Sequence, residues 1–192
     1  MYKESIDEIL AGPTDLAARR LLGCILIREL NGKKVVSRIV ETEAYNQTDA
    51  ASHSYRGVTP RTAIMFGPPG HLYVYFTYGM HYCCNVVTGA VGQGAAVLIR
   101  AVEPIEGIDI LAQNRRGRTG LDMTNGPAKL CQAMRIDKAL NGHDLRTTPL
   151  QLEVQDPVSP DRIVQTTRIG IKQAQDVPWR FYIRGNQYVS KP

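Results

Sequence analysis

The sequence predicts an α+β fold, a single domain over residues 1–192 with a curved, mainly antiparallel β-sheet and flanking helices. The first observation is the dipeptide Asn31-Gly32 between two strand-like runs, because Asn-Gly accepts the positive φ angles of a tight hairpin turn. The second is that further strand-like runs follow one another through turn-rich segments, which favours antiparallel neighbours. The third is that the chain has no internal repeat, low-complexity tract or linker, which indicates one domain.

The N-terminal part of the chain predicts a helix followed by the hairpin. Residues Asp15 to Leu22 have a helical pattern, with Thr14 in the N-cap position and Gly23 at the C-terminal stop. The hairpin strands are expected at Cys24 to Leu30 and at Lys34 to Tyr45. The second strand therefore ends next to the polar loop that follows it.

The rest of the chain alternates between loops, strands and two helices. An ordered polar loop is expected from Asn46 to Pro60, because this segment is rich in Ser, Thr, Asp, Gly and Pro. Helices are expected from Ile108 to Asn114 and from Pro127 to Met134, with Pro127 in the first turn. The remaining predicted elements are strands, at His71–Thr77, His81–Val87, Ala95–Glu103, Leu150–Val154 and Trp179–Arg184.

Composition limits the classes of protein to which the chain can belong. Apolar residues make up 43% of the sequence, enough for a sizeable core, and no apolar run has the length of a membrane span. The net charge of +5 fits a polyanionic partner without requiring one. The four cysteines lack Cys-x-x-Cys spacing and no signal peptide is recognisable, so reduced thiols in a protein that is not secreted are expected.

Two acids in an apolar strand are the first candidates for chemistry. In the strand that ends at Tyr45, the alternation of side chains puts Glu41, Glu43 and the tyrosine on one face. Arg100 lies in another apolar strand, and a cation beside a partly buried carboxylate keeps it ionised, so that it can activate water. Glu43 with Arg100 is the candidate catalytic pair. A structural ion pair is the alternative, and the pattern alone does not choose between Glu41 and Glu43.

Tyrosines in the second predicted hairpin are candidates for a pocket wall, although aromatic residues are also ordinary strand content. If the turn is a three-residue loop with Gly79 at its positive-φ position, Tyr75 pairs with Cys83 and Tyr73 with Asn85. A two-residue turn would instead put Asn85 on the face opposite Tyr75. With the longer loop, Tyr73, Tyr75 and Asn85 share one face of the hairpin and form a pocket wall. The sequence leaves both registers open.

Two single residues stand out around this candidate pocket. Tyr78 is at the hairpin tip, where its ring has nothing of its own hairpin to pack against. It suits a wedge between stacked bases, with an ordinary surface residue as the alternative. His53, in the polar loop after the Glu43 strand, would bring an imidazole over the same pocket. The four histidines lack the spacing of a metal site, so no metal is expected.

Six motifs, in order along the chain, belong together. They are Val40–Tyr45, Thr59–Arg61 with Met65–Gly67, Leu72–Tyr75, Tyr78–His81 with Asn85, Leu98–Ala101 with Glu103-Pro104, and Gly126–Cys131. In this order they resemble the alkyladenine (3-methyladenine) DNA glycosylase family, and Arg180–Gly185 is similar to that family's last strand. The matches span nearly the whole chain, which makes them far more specific than any single motif.

The resemblance implies a role for each matched residue. Glu43 would activate the water, Arg100 would orient or ionise it, and Tyr78 would fill the space left in the duplex by a flipped base. The pocket for that base would be lined by Tyr45, His53, Tyr75, Asn85, Ile169 and Gly170. Contacts with the DNA backbone would come from Arg61, Met80 and Lys129. The cluster Arg115-Arg116-Gly117-Arg118 is either a further backbone contact or a solvated loop.

The activity that the resemblance implies is excision of alkylated or deaminated purines from duplex DNA, leaving an abasic site. No lysine has the pattern of a buried nucleophile, so strand cleavage is not expected. The protein would need no metal or organic cofactor, would bind duplex DNA containing damaged purines and no membrane, and would act as a monomer. Its expected location is cytoplasmic, in a bacterial nucleoid, or nuclear.

Two functions from other classes remain compatible with the residues. One is a DNA-damage binder that flips bases without cleaving them, against which the retention of Glu43 and Arg100 argues. The other is a ribohydrolase acting on free nucleosides, against which the exposed Tyr78 argues.

Overall fold

Eight strands, four short α-helices and five 3₁₀ turns make up the regular structure of residues 4–77 and 79–191, the part of the chain described by the computed structural model. The helices are α1 (Ile6–Leu10), α2 (Thr14–Arg20), α3 (Ile108–Asn114) and α4 (Pro127–Ala133). The strands are β1 (Ile25–Leu30), β2 (Lys33–Asn46), β3 (Leu72–Thr77), β4 (His81–Val87), β5 (Ala95–Glu106), β6 (Leu150–Glu153), β7 (Ile163–Thr166) and β8 (Arg180–Ile183).

The first hairpin forms as its turn sequence predicts. Leu30 pairs with Lys33, so the turn contains only Asn31 and Gly32. Their φ angles are 51° and 75°. Both values lie in the left-handed region that a tight hairpin turn requires, and Asn and Gly tolerate it best.

Strand β2 is the centre of the sheet. The strand order is β3-β4-β5-β2-β1-β6, β8 also pairs with β2, β7 pairs with β8, and all these pairings are antiparallel. One edge of β2 pairs with β5, whereas the other edge pairs first with β1 and then, at residues 41–43, with β8. The predicted α+β class with a mainly antiparallel sheet is confirmed, and the acids of β2 have a strand on each side.

Helices cover the apolar faces of the sheet. Ala17 and Ala18 of α2 are fully buried, and the Thr42 hydroxyl of β2 donates a hydrogen bond to the Ala18 carbonyl at 2.8 Å. Leu130 and Cys131 of α4 are buried in the same core, where α4 packs on β4. The small alanines let α2 approach β2 closely, which seals the rear of the sheet under the acids.

The second hairpin has the register that makes a pocket wall. Tyr75 pairs with Cys83 and Tyr73 with Asn85, so the turn between β3 and β4 is the three-residue loop. Gly79 in this loop has a φ of 68°, as the longer loop requires. The alternative two-residue turn is excluded. Asn85 consequently lies beside the tyrosines and not on the opposite face.

The start of α2 and two short elements differ from the sequence prediction. Thr14 is the first helical residue and not the N-cap, because Pro13 has an extended conformation while its carbonyl already accepts the Ala17 N–H at 3.1 Å. Helix α1, which a Ser5/Glu8 capping box begins, was not predicted. Strand β7 was also missed, because its four residues show no apolar alternation and its pairing depends on β8.

Candidate functional site

A buried glutamate in the middle of the sheet is the core of the site. Glu43 of β2 has no exposed surface. Its Oε1 atom accepts a hydrogen bond from the Ile169 N–H at 2.8 Å and lies 3.3 Å from Nη1 of Arg100. Among residues 4–77 and 79–191, the one donor to its Oε2 atom is the Tyr45 hydroxyl, at 2.7 Å. A carboxylate has about four lone-pair positions, so these three contacts leave one position on Oε2 unused.

Glu41, on the same face of β2, receives four hydrogen bonds, three of them on Oε1. Its Oε1 atom accepts from Nε of Arg180 at 2.7 Å and from Nε of Arg100 at 3.1 Å. Ser190 donates its hydroxyl to Oε1 at 2.9 Å and its N–H to Oε2 at 2.7 Å. Of the two acids, Glu43 is the one that lines a cavity. Glu41 thus binds Arg100 and Arg180 away from the cavity, and Glu43 stays the candidate for the chemistry.

Arg100 reaches both acids because of an irregularity in β5. Ile99 and Ala101 pair with Thr42 and Glu41, which are adjacent in β2. Arg100, between them, therefore has no pairing partner in β2. A bulge of this kind re-aims the unpaired side chain. Burial alone would lower the pKa of the guanidinium, but the two glutamates outweigh burial and raise this pKa above its ordinary value. Arg100 is thus a permanent cation beside Glu43.

A cavity of about 530 Å³ lies next to Glu43. This volume is within the range of about 300–1,000 Å³ that is usual for small-molecule pockets. Most residues singled out from the sequence meet here: Glu43, Tyr45, His53, Arg61, Tyr75, Asn85, Arg100, Ile169 and Gly170. Met80 and Lys129 lie on a second groove. Tyr78 falls outside the residues that the structure describes.

Three rings form one wall of the cavity. The His53 ring stands edge-on to Tyr75 with 4.6 Å between centroids, and Tyr75 stacks with Tyr73 at 5.6 Å. Nδ1 of His53 lies 3.0 Å from the Tyr73 hydroxyl oxygen. Burial against these rings, and secondly the charge of Arg61, lower the pKa of His53 to about 4. The imidazole is therefore neutral at neutral pH, and its outer side is exposed at the cavity mouth.

Asn85 extends this wall from the neighbouring strand. It is only 5% exposed, and its Nδ2 atom donates a hydrogen bond to the Tyr73 carbonyl at 3.1 Å. This bond uses one of the two amide hydrogens and fixes the orientation of the amide, so the side-chain oxygen can accept a hydrogen bond from a ligand in the cavity. Asn85 can therefore test one edge of a planar ligand for a hydrogen-bond donor.

Arg168, which was not predicted as a site residue, ties the site together. Its buried guanidinium pairs with Asp49, with 3.0 Å between Nη2 and Oδ1. It also donates to the carbonyls of Ala44 at 3.0 Å and Ala174 at 3.3 Å, and its central carbon lies 4.7 Å from the Tyr45 ring centroid. Arg168 thus joins β2 to the two loops that line the cavity. The only sequence feature that could have indicated Arg168 as a site residue was its position next to Ile169.

The loop after Arg168 supplies the opposite wall. Ile169 contributes the backbone N–H that binds Glu43, and Gly170 has a φ of 77°, in the left-handed region. Lys172, an exposed residue of this loop, also lines the cavity. Lys172 was not predicted to line the cavity, because a polar loop gives no sequence pattern that would place it. Tyr73, a pocket-wall candidate from the sequence, lines the cavity too, and further lining residues that were not predicted include Met65, Ile171 and Gln173.

A second groove, of about 900 Å³, lies between the β3–β4 turn and helices α3 and α4. Met80 is 69% exposed beside it. Lys129 is engaged at this groove, since its Nζ atom donates to Asp122 at 2.7 Å and to Asn125 at 2.8 Å. Cations outnumber acids along the groove, with Arg115, Arg116, Arg118, Lys129 and Arg135 against Asp122 and Asp137.

Other kinds of site have little support in the described residues. None of their His, Cys, Asp and Glu side chains form a group of three that could hold a metal ion. In the same residues, no helix combines the length and the apolar character needed to cross a membrane. The four cysteines are buried free thiols, and burial raises the pKa of Cys83 to about 11, which disfavours the reactive thiolate.

Comparison with known proteins gives a consistent result. The model of a family described as methylpurine-DNA glycosylase (MPG) matches residues 8–187. A protein of Carboxydothermus hydrogenoformans is 56% identical over 177 residues, which cover 92% of this chain and 93% of the relative. A protein of Methanoculleus marisnigri is 49% identical over 183 residues, 93% of this chain and 94% of the relative. Both are named "Putative 3-methyladenine DNA glycosylase".

Proposed function

The chain belongs to the methylpurine-DNA glycosylase family, and on that basis we propose that it is a monofunctional DNA glycosylase of base excision repair. It flips alkylated or deaminated purines out of duplex DNA, hydrolyses the N-glycosidic bond and leaves an abasic site. The observation that carries the proposal is the free lone-pair position of the Glu43 carboxylate, next to a cavity walled by aromatic rings.

The geometry supports a reaction in which Glu43 is the general base. A water bound to Oε2 would attack C1′ of the everted nucleotide and give its proton to the carboxylate, while the bond between C1′ and the purine breaks with its electron pair on the base. Arg100 and the Ile169 N–H stay on Oε1, where they fix the carboxylate orientation. The reaction needs no metal ion or organic cofactor, because every group in it belongs to this chain or to the substrate.

The walls of the cavity suit a flat base. The rings of Tyr45, His53 and Tyr75 offer stacking surfaces worth about 1–3 kcal/mol per base in single-stranded nucleic-acid sites. Asn85 would probe the purine edge with its side-chain oxygen, and Gly170 lets the backbone approach the sugar. Discrimination among purine lesions would depend on these contacts.

The partner we propose is duplex DNA containing a damaged purine, bound by one copy of the chain. Tyr78 would occupy the gap left by the everted nucleotide, and Arg61, Met80 and Lys129 would contact the backbone. Lys172 is exposed, whereas a lysine nucleophile is activated by burial in an apolar pocket. Strand cleavage is therefore not part of the proposed activity.

The change Glu43→Gln tests the proposal. We expect single-turnover release of the base from a lesion duplex to fall by about 10²–10⁴-fold, the usual contribution of general acid–base catalysis. Affinity for the same duplex should stay within a few fold, because ring stacking and phosphate contacts do not use the carboxylate. Gel-based excision assays and fluorescence anisotropy measure the two quantities.

Glu106→Gln is the matched control, since it makes the same change at an exposed position at the end of β5. Equal loss of binding and excision in the Glu43 variant would overturn the assignment of Glu43 as the base. A wild-type protein that binds lesion duplex without releasing a base would be a damage binder. Faster cleavage of free nucleosides than of duplex would identify a ribohydrolase.

A further inference from the structure

Arg61 is a cation of the cavity wall without an acidic partner. Its guanidinium carbon lies 5.5 Å from the centroid of the Tyr75 ring, and its side chain lines the same cavity as Glu43. Within residues 4–77 and 79–191, no carboxylate oxygen lies within 4.0 Å of it. Its charge is therefore not neutralised by a neighbour in the way that the buried guanidinium groups of the site are.

The contrast with the two other arginines at the site is clear. Arg100 contacts two carboxylates, at 3.1 Å and 3.3 Å, and Arg168 pairs with Asp49. Each of these arginines belongs to a charge-balanced group. Arg61 is instead positioned by aromatic rings, which accept a cation on their faces but do not cancel its charge. It adds positive charge at the ring wall, where the base would lie.

The positive charge of Arg61 reaches the groups that would touch a base. It lowers the pKa of His53, in addition to the larger effect of burial. The ring of His53 lies 4.6 Å from that of Tyr75, so the three side chains share one corner of the cavity. A base stacked on this corner would lie beside the guanidinium of Arg61, which is exposed and therefore open to a ligand in the cavity.

The two classes of purine lesion respond to such a cation in opposite ways. A ring-alkylated purine is cationic, so it is repelled before the reaction and leaves as a neutral molecule. A deaminated purine such as hypoxanthine is neutral. When the bond to C1′ breaks, its electron pair stays on the base, and the leaving group becomes negative as the sugar becomes positive. Donors aimed at charge that develops in the transition state are a strong source of catalysis.

We propose that Arg61 is a specificity-determining catalytic residue that stabilises the negative charge developing on a neutral purine as it departs. The guanidinium donates hydrogen bonds to the leaving base but no proton, because arginine stays protonated in proteins. The departing base takes its proton from solvent, and the water proton stays with Glu43. This role rests on the proposed glycosylase activity, and it replaces the backbone contact otherwise assigned to Arg61.

The test compares two duplexes that differ only in the lesion, hypoxanthine or the cationic 7-methylguanine. Single-turnover excision by the wild type and by Arg61→Gln is measured on both. We expect hypoxanthine excision to fall by about tenfold or more, as when one transition-state donor is removed. Excision of 7-methylguanine should be unchanged or faster. Arg61→Lys, which keeps the charge but loses the planar fork, should give intermediate hypoxanthine rates.

Arg56→Gln is the matched control, because Arg56 is an exposed arginine on the 3₁₀ turn that begins at His53. It should change both excision rates by the same factor. An equal loss on both lesions in Arg61→Gln, with a weaker salt dependence of binding, would identify a phosphate contact and overturn the proposal. If the wild type released neither base, the glycosylase assignment itself would fail, which is a separate outcome.

Discussion

At the scale of single residues, hydrogen-bond donors decide what two similar acids can do. Glu41 and Glu43 are two positions apart on one strand, and both are fully buried. Glu41 receives four hydrogen bonds, whereas Glu43 receives fewer and is the one that borders the cavity. A carboxylate can act on a substrate water only from the wall of the substrate cavity, so this position separates the candidate base from the structural acid.

His53 connects folding stability to pH at the same scale. Its pKa is lowered from 6.5 to about 4 in the folded state, so the folded protein binds fewer protons than the unfolded chain between these values. The stability that His53 contributes is full above pH 6.5 and is lost as the pH falls towards 4. We expect the free energy of unfolding of the wild type to drop more steeply over this window than that of His53→Gln.

Chemical denaturation at several pH values measures, for each protein, the slope of the free energy of unfolding against pH. Because Arg61 also lowers the pKa of His53, Arg61→Gln should show a slope between those of the wild type and His53→Gln. Identical slopes for the wild type and His53→Gln would contradict the lowered pKa of His53 in the folded state.

At the scale of elements, the site is assembled where strand ends and loops are held against each other. The 3₁₀ turn that begins at His53 is held to the start of β5, since the Ser54 hydroxyl donates to the Gly94 carbonyl at 2.8 Å. Gly94 in turn donates its N–H to the Gln47 side chain at 2.9 Å. A Cβ atom at position 94 would lie 2.5 Å from the Phe66 ring and 2.7 Å from Cβ of Ser54.

The change Gly94→Ala should therefore push the His53 turn away from the cavity. We expect a loss of about 1–3 kcal/mol in the free energy of unfolding, as for other overpacked positions. Lesion-duplex affinity should also fall, because the His53 ring moves. Gly126→Ala is the control, since the added Cβ there meets only ordinary contacts of 3.5 Å or more. Equal free energies of unfolding for the two variants would contradict the prediction, because they would show that the loop accommodates the added methyl group without loss of stability.

At the scale of the whole molecule, the positive charge is concentrated where the proposed duplex would lie. The chain has a net charge of +5, and five cations against two acids line the second groove, beside the exposed Met80. Each phosphate neutralised by a cation adds about 0.9 to the slope of log affinity against log salt concentration on duplex DNA. The salt dependence of binding therefore measures how many phosphates the groove neutralises.

The double change Arg116→Gln with Arg118→Gln should reduce this slope by about 2, one for each phosphate that is no longer neutralised. Affinity for undamaged and damaged duplex should fall by the same factor, because phosphate contacts carry no information about the base. The control is Arg162→Gln with Arg184→Gln, which removes the same charge from two exposed arginines beside β7 and β8. Equal slopes for the two double variants would exclude the groove as a backbone site.

The sequence by itself determined the local structure of this protein, because turn preferences and the alternation of side chains along a strand depend on residues close in the chain. Asn31-Gly32 was sufficient for the first hairpin, and helix α3 has the predicted limits. The motifs around Glu43, Tyr75 and Arg100 determined which residues meet at the cavity. Local patterns failed for β7, whose existence depends on pairing with a distant strand.

Only the tertiary structure decided which acid faces the cavity and what holds the site together. Apart from Tyr45, the donors to Glu41 and Glu43 come from segments more than 50 residues away, such as Ser190 and Ile169. Arg168 and Asp49 are separated by 119 positions in the chain. No periodicity links such residues, and their contacts exist only because the sheet brings loops from both ends of the chain to β2. Chemistry at the site depends on those long-range contacts.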